Sequence, residues 1–454
     1  MNPTSTTRAD STDSNSTETN AAGTNLSVEP PAVEQRGSMF AALAVPNFRT
    51  YVTGSFVSNI GTWMQRVAQD WLVLELSGGS GLAIGITTAL QFLPMLLLSA
   101  YGGLVADRLD KRLVLRVTQA WLAICAGTLG VLAITGVATT PIVFAIAFAF
   151  GLGTAFDNPA RQAFVSELVG RDRLPNAIAL NSATFNAARI VGPAVAGLVI
   201  GAFGSGWAIL SNAITYLAFI AALLIIDPRR LQPTVPATRG KRQIREGMAY
   251  VVQHSEILLV LLIAFFVGTF GMNFQLTSAL MAQQEFGKGP EEYGILGTFM
   301  AVGSLAGALL AARRTQAPRA RFVVIMSMAF GAVEIVAGLM PSYVTYAAIL
   351  PVMGLAALLT LTACNALVQM AADPQLRGRV MALYMMVLMG GTPVGAPLIG
   401  WIGEAFGPRW TLIGGGALTI LGVLLAVAVI SHRQHLSITA ALRELPHPHL
   451  SRSH

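Results

Sequence analysis

The sequence predicts an all-α, polytopic membrane protein of twelve transmembrane helices, arranged as two six-helix pseudo-repeats. Three observations carry this. First, 54% of the 454 residues are hydrophobic and only 11% are charged, far outside the soluble globular range. Apolar runs of about 20 residues, each able to cross roughly 30 Å of hydrocarbon as a helix, recur along the chain. They centre near residues 63, 92, 124, 150, 190, 217, 269, 301, 330, 356, 391 and 420. The alternating pattern of a membrane β-barrel is absent, and in lipid only a helix satisfies its own backbone, so these spans are helices.

Second, the basic residues alternate with the spans. Of 29 Lys+Arg, 25 fall in the two tails and every second connection, and the other connections hold only Lys288 and Arg409. The positive-inside rule then puts both termini in the cytoplasm of a cell-membrane protein. The net charge of +7 reflects that topology and gives no ground for a nucleic-acid partner. Third, residues 192–207 (GPAVAGLVIGAFGSGW) match 395–410 (GAPLIGWIGEAFGPRW) at a shift of 203, with six identities in sixteen. The pair falls on spans five and eleven, six helices apart.

The division of the chain follows. Residues 1–38 are polar and poor in aromatics, as expected of a disordered cytoplasmic arm without a secretory signal. MFAALAVPNF (39–48) suits a brief interfacial helix before span one. The first six-helix half is expected over 39–227, a basic cytoplasmic loop over 228–255, the second half over 256–431 and a cytoplasmic tail over 432–454. Cys125 and Cys364 lie singly in apolar spans and read as small buried hydrophobes. Five of six histidines sit irregularly in the tail, a poor metal site.

Span one contains SNIGTWMQRVAQDWL (58–72), where Arg66 and Asp70 interrupt an apolar run. At 100° per residue, Ser55, Asn59, Thr62, Trp63, Arg66 and Asp70 share one stripe about 100° wide, and Ile60, Met64, Val67, Ala68, Trp71 and Leu72 cover the rest. A charge at mid-membrane costs about 2.5–3.5 kcal/mol or more, so Arg66 and Asp70 are functional candidates or a structural pair four residues apart. Asp157 and Arg161, also four apart, lie near the inner end of span four, and Arg189 is a second intramembrane base, in span five. Glu334 in span nine is a rival carboxylate to Asp70 that could equally lie toward the outer interface. Asn273 and Gln275 in span seven, with Asn365 and Gln369 in span ten, are the remaining polar groups fit for a cavity. Phe266, Phe270 and Phe274 form an i, i+4, i+8 ridge suited to packing or to an aromatic wall.

Several motifs resemble the major facilitator superfamily. GGLVADRLDKR (102–112) resembles its signature between spans two and three, matching at Gly103, Asp107, Arg108, Lys111 and Arg112 and departing at Asp110, where many members have Gly. RIVGPAVAG (189–197) resembles the fifth-span Gly-Pro motif of drug exporters, with Ala196 at a usual Gly position. SNIGTWMQRVAQDWLVLELSG, NPARQAFVSELV and LPNAIALNSATFNAARIVGP resemble the exporter branch that includes the enterobactin and macrolide exporters. The resemblance implies a binding site between the halves, lined by span one, and a gating latch in which Asp107 docks on the start of span eleven. Gly103 is expected to allow close helix approach, while Gly192, Pro193 and Gly197 bend span five or form a packing seam.

The sequence holds no phosphate-binding Gly-rich loop and no nucleophile-base set within a span, so neither an ATP engine nor an enzyme is expected. The expected function is a secondary active exporter of amphipathic small molecules, driven by the proton gradient with no cofactor or metal, working as a monomer in the bilayer. Arg66, Asp70, Arg189, Asn59 and Trp63 would bind substrate and couple protons. Asp107, Arg108, Arg112, Asp157 and Arg161 would gate. An importer or uniporter on the same fold, and a receptor or scaffold without transport, are the alternatives.

Overall fold

The computed structural model describes residues 40–232, 243–313 and 318–433. The N-terminal arm, the middle of the central loop and the histidine-bearing tail beyond Arg433 therefore lie outside the described residues. In the first half, α1 (Pro46–Leu76), α2 (Gly81–Arg108), α3 (Lys111–Ile134), α4 (Thr140–Leu168), α5 (Leu174–Phe203) and α6 (Ser205–Ile225) run back and forth. In the second, α7 (Gln243–Gln253) precedes span seven, which comprises α8 (Ser255–Phe266) and α9 (Phe274–Leu280). Then come α10 (Pro290–Ala312), α11 (Ala320–Gly338), α12 (Tyr343–Ala371), span eleven as α13 (Arg377–Gly390) and α14 (Thr392–Phe406), and α15 (Pro408–Arg433). The face where α1 begins and α15 ends is called here the terminal face, and its opposite the far face.

Eleven segments among the described residues are long and apolar enough to cross a membrane. The twelfth span, α1, has the length at 31 residues; its polar stripe lowers its hydropathy. It is protected by position, packed between α5 and α6. Lipid-facing side chains are apolar, among them Leu198, Ile214 and Val344.

Three local expectations are corrected. The interfacial helix over 39–48 shrinks to a 3₁₀ turn, Ala41–Ala44, because Pro46 starts α1 at its first turn. The central connection contains α7, which lies on the second half: Arg379 Nη1 meets Glu246 Oε2 at 2.5 Å, and Val251 is buried. Span seven is broken rather than continuous. A π-helical turn, Val267–Gly271, and non-helical Met272–Asn273 separate α8 from α9, and a second π turn follows at Met281–Glu285.

The internal repeat marks the contacts that build the two halves. Gly204 (φ 89°) and Gly407 (φ 100°) end α5 and α14 in a backbone region only glycine adopts, and the next helix begins at the following residue in each case. A Cβ on Gly192 would meet Trp63 Cβ at 2.5 Å on span one; one on its repeat partner Gly395 would meet Thr269 O at 1.7 Å on span seven. Gly197 likewise faces the Glu291 backbone of span eight, and its partner Gly400 the Gly81 backbone of span two. Span five thus touches spans one and eight as span eleven touches seven and two, the pattern of a parallel repeat. Trp207 and Trp410, also repeat partners, are each 51% exposed at the far-face ends of α6 and α15, where an aromatic belt sits.

Candidate functional site

Four helices meet around the middle of the bundle: α1 and α5 from the first half, α9 and α10 from the second. Between them is a cavity of about 430 Å³, counted with its open mouth, lined by Trp63, Val67, Arg189, Pro193, Phe274, Gln275, Ser278, Tyr293, Gly297, Met300 and Ala301. From α1, Trp63 and Val67 line the cavity, Val67 from outside the predicted stripe; Arg66 and Asp70 lie beside the lining, Arg66 against the Trp63 indole and Asp70 on Tyr293. Two guanidiniums lie against Trp63. Arg66 Cζ lies 4.9 Å from the centroid of the indole, and Arg189 Cζ 5.5 Å from it. Arg66 also lies over Phe92 at 5.4 Å and Arg189 over Phe274 at 5.6 Å.

Asp70 is 8% exposed. It forms no ion pair with Arg66 within 4 Å; its Oδ2 instead accepts the Tyr293 hydroxyl at 3.3 Å, a bond that crosses from one half to the other. The same hydroxyl is shared with Gln275 O at 3.2 Å, and the Tyr293 ring stacks on Trp71 at 6.0 Å. Asn59 lies one turn below the cavity lining and donates to Ser55 Oγ at 3.4 Å.

The other sequence candidates occupy different places. Asp157 and Arg161 form an ion pair at 2.5 Å inside the first half. Thr118 and Gln119 donate to Asp157 Oδ1, both at 2.8 Å, and Arg161 donates to Ser55 Oγ at 3.0 Å and Ser58 Oγ at 3.1 Å. The pair therefore braces α1, α3 and α4, with Phe219 of α6 covering Arg161. Glu334 is 2% exposed and sits among α11, α15 and the π turn of span seven, with Oε2 lacking a hydrogen-bond partner among the described residues. That position is inside the second half, about one turn from the far-face end of α11 at Gly338.

Asn273 donates to Thr269 O at 2.8 Å and Phe270 O at 3.2 Å, so it repairs the backbone at the break in span seven. Gln275 lines the cavity, whereas Asn365 and Gln369 bond each other at 2.6 Å on α12. The phenylalanine ridge is split: Phe266 and Phe270 stack at 6.2 Å, while the intervening π turn and break swing Phe274 into the cavity.

At the terminal-face end of α2, Asp107 and Arg108 stand clear of the cavity lining. Lys111 meets Glu167 at 2.5 Å, and Arg112 donates to Leu223 O at 2.6 Å and Leu224 O at 2.9 Å. Next to Gly103, Gly102 makes a close helix approach, where a Cβ would lie 2.2 Å from Ala155 O. Asp110, the departure from the signature, caps α3 by accepting from Arg112 N at 2.8 Å and Leu113 N at 3.4 Å. Asp110→Ala is expected to lose about 1 kcal/mol of stability, read by thermal unfolding of the purified protein, with transport nearly unchanged.

The halves seal against each other toward the far face. A Cβ on Gly81 would lie 2.7 Å from Gly400 O, one on Gly85 2.4 Å from Ala396 O, and one on Gly294 2.5 Å from Pro193 O. Ser80 donates to Glu404 at 2.8 Å, and Gln284 donates to Gly79 O. At the terminal face the polar contacts of α3, α7 and α13 described above stay within their own halves.

With this geometry in view, comparison with known families is decisive. The family model described as transmembrane secretion effector matches residues 37–453. The chain belongs to that family. Its fold is that of the major facilitator transporters, as in a bacterial homologue of the human lysosomal transporter Spinster in an inward-facing, unoccupied conformation. That structure shares 15% identity at a TM-score of 0.64 over 88% of this chain and 97% of the other. The multidrug efflux pump Tap of Mycolicibacterium fortuitum is 26% identical over 83% of this chain and 93% of its own. The staphyloferrin A transporter of Staphylococcus aureus is 26% identical over 57% of this chain, and the match spans 65% of that protein.

This family member is accordingly a multi-pass membrane transporter of small molecules. Tyr293 and Ser278 line the site and were not singled out by the sequence alone. A tyrosine three residues into an apolar span carries no signal until its partner across the halves is known.

Proposed function

We propose that this protein exports amphipathic small molecules from the cytoplasm by alternating access, driven by protons. The observation that carries the reading is a central cavity closed toward the far face by glycine-to-backbone contacts, with the halves separately tied at the terminal face. The 25-to-2 distribution of basic residues supports a cytoplasmic terminal face, which makes this the inward-facing, loading form. The relative named as a multidrug efflux pump supports export over import. Asp70 and Glu334, carboxylates buried within spans and without an ion-pair partner among the described residues, are the candidates to carry the proton. Protonation removes the cost of burying either charge, so each can bias which face is closed.

The test uses inverted membrane vesicles with a respiration-driven pH gradient, read by an acridine dye, and a compound panel of cations, macrolides and siderophores. Wild type is expected to release protons on addition of a transported compound. Loss in Asp70→Asn assigns coupling to span one, and loss in Glu334→Gln alone assigns it to span nine. Accumulation of labelled compound without proton release would overturn proton coupling.

A further inference from the structure

We propose that the cargo of this cavity is an organic anion, a carboxylate on an aromatic body, held by Arg189 of the lining and by Arg66, both of which lie against Trp63. The inference rests on reading the cavity as the cargo site and goes beyond it by fixing the sign of the cargo's charge. Two guanidiniums reach one indole, and neither makes a hydrogen bond or ion pair among the described residues. Arg66 Nε is buried with no hydrogen-bond partner. The charged group within electrostatic reach of Arg189 is Arg66, a like charge.

Cation–π contacts return less than burying a charge costs. The site therefore holds two bases under-compensated, which is the arrangement a cargo anion relieves and a cargo cation worsens. The guanidinium fork matches carboxylate oxygens, and Trp63, Phe274 and Tyr293 supply flat apolar surface for a ring. Asp70 is the one carboxylate in reach of Arg66, and it is turned to Tyr293. Ionised, it competes with the cargo for the same guanidinium. This makes Asp70 an internal rival of the cargo and leaves Glu334, away from the arginines, the better placed proton carrier.

The experiment measures binding by calorimetry to the full chain in zwitterionic phosphatidylcholine nanodiscs, so that no lipid anion competes. The probes share one ring and differ in charge: 1-naphthoate, 1-naphthamide and 1-naphthylmethylammonium. Naphthoate is expected to bind about ten-fold or more tightly than the amide, and the ammonium most weakly. Arg66→Gln and Arg189→Gln are each expected to weaken naphthoate about ten-fold, and the double variant to lose the discrimination between naphthoate and amide. Asp70→Asn should tighten naphthoate, the reverse of what a cation site would do. The ligand-free melting temperature of Arg66→Gln should not fall, since an uncompensated charge is removed, and Arg189→Gln repeats the test at a less buried position.

Equal or tighter binding of the ammonium or amide, weakening by Asp70→Asn, or no naphthoate binding at millimolar concentration would overturn the proposal. Because binding needs no gradient, naphthoate binding with silent proton-release assays would leave this inference standing and remove proton-driven export instead. Proton release by cationic compounds alone would do the opposite.

Discussion

Asp157→Ala is expected to cost about 3–5 kcal/mol, the range found when one partner of a buried ion pair is removed. The ion pair has side chains only 5% and 14% exposed, and Asp157 also accepts from Thr118 and Gln119. Removing the carboxylate leaves Arg161 without its counter-charge, held only by the Ser55 and Ser58 hydroxyls, and takes an acceptor from Thr118 and Gln119. Chemical unfolding in detergent micelles reads the loss, together with a fall in the amount of protein recovered from membranes. The double variant Asp157→Ala/Arg161→Leu should recover much of the loss, because both charges are then gone. A single-variant loss under about 1 kcal/mol would mean that water reaches the pair, and the brace would have to be abandoned.

Gly400→Leu is expected to keep the fold and abolish the far-face-closed form. A Cβ there would lie 2.2 Å from Gly81 O and 2.7 Å from Gly81 C, both backbone atoms that a rotamer change cannot move. Overpacking of this kind costs about 1–3 kcal/mol, which shifts a two-state equilibrium about 5- to 150-fold. The helices can avoid the cost only by parting, so the shift is toward the form open at the far face. A cysteine placed at Ser80, beside the seal, should become reactive to a membrane-impermeant maleimide, and transport should fall in proportion.

The repeat gives a graded control. Gly197, the partner of Gly400, has its nearest backbone contact at 3.0 Å, so Gly197→Ala should act more weakly than Gly400→Ala. Equal labelling in wild type and Gly400→Leu would show that this contact does not govern closure.

Much of the fold was legible because a membrane imposes one-dimensional rules. A span must be predominantly apolar and helical, and the basic residues record which side each connection occupies. The repeat was legible because glycines at a shift of 203 mark equivalent contacts, Gly192 with Gly395 and Gly197 with Gly400. The breaks were not legible. Val267–Gly271 is as apolar as its surroundings, and hydropathy does not distinguish a π turn from an α turn.

The site divides in the same way. The period of α1 placed Trp63, Arg66 and Asp70 on one stripe, and that much follows from 100° per residue. Which charge meets which partner does not follow. Two residue pairs with the same i, i+4 spacing came out differently: Asp157 and Arg161 pair at 2.5 Å, whereas Asp70 turns from Arg66 to Tyr293, 223 residues away. Helical spacing brings two side chains within reach, and the neighbouring helices decide whether they meet.

The sequence by itself determined the twelve-span plan, the doubling of the chain and the presence of charges in span one, because composition and period act locally along the chain. Only the tertiary structure decided that Arg189 joins Arg66 around Trp63, that Phe274 leaves its ridge for the cavity and that Glu334 is buried without a partner. These depend on which helices cross and where. That is set by the backbone-to-backbone approach of glycines from distant parts of the chain, and no local pattern encodes the residue waiting on the other side.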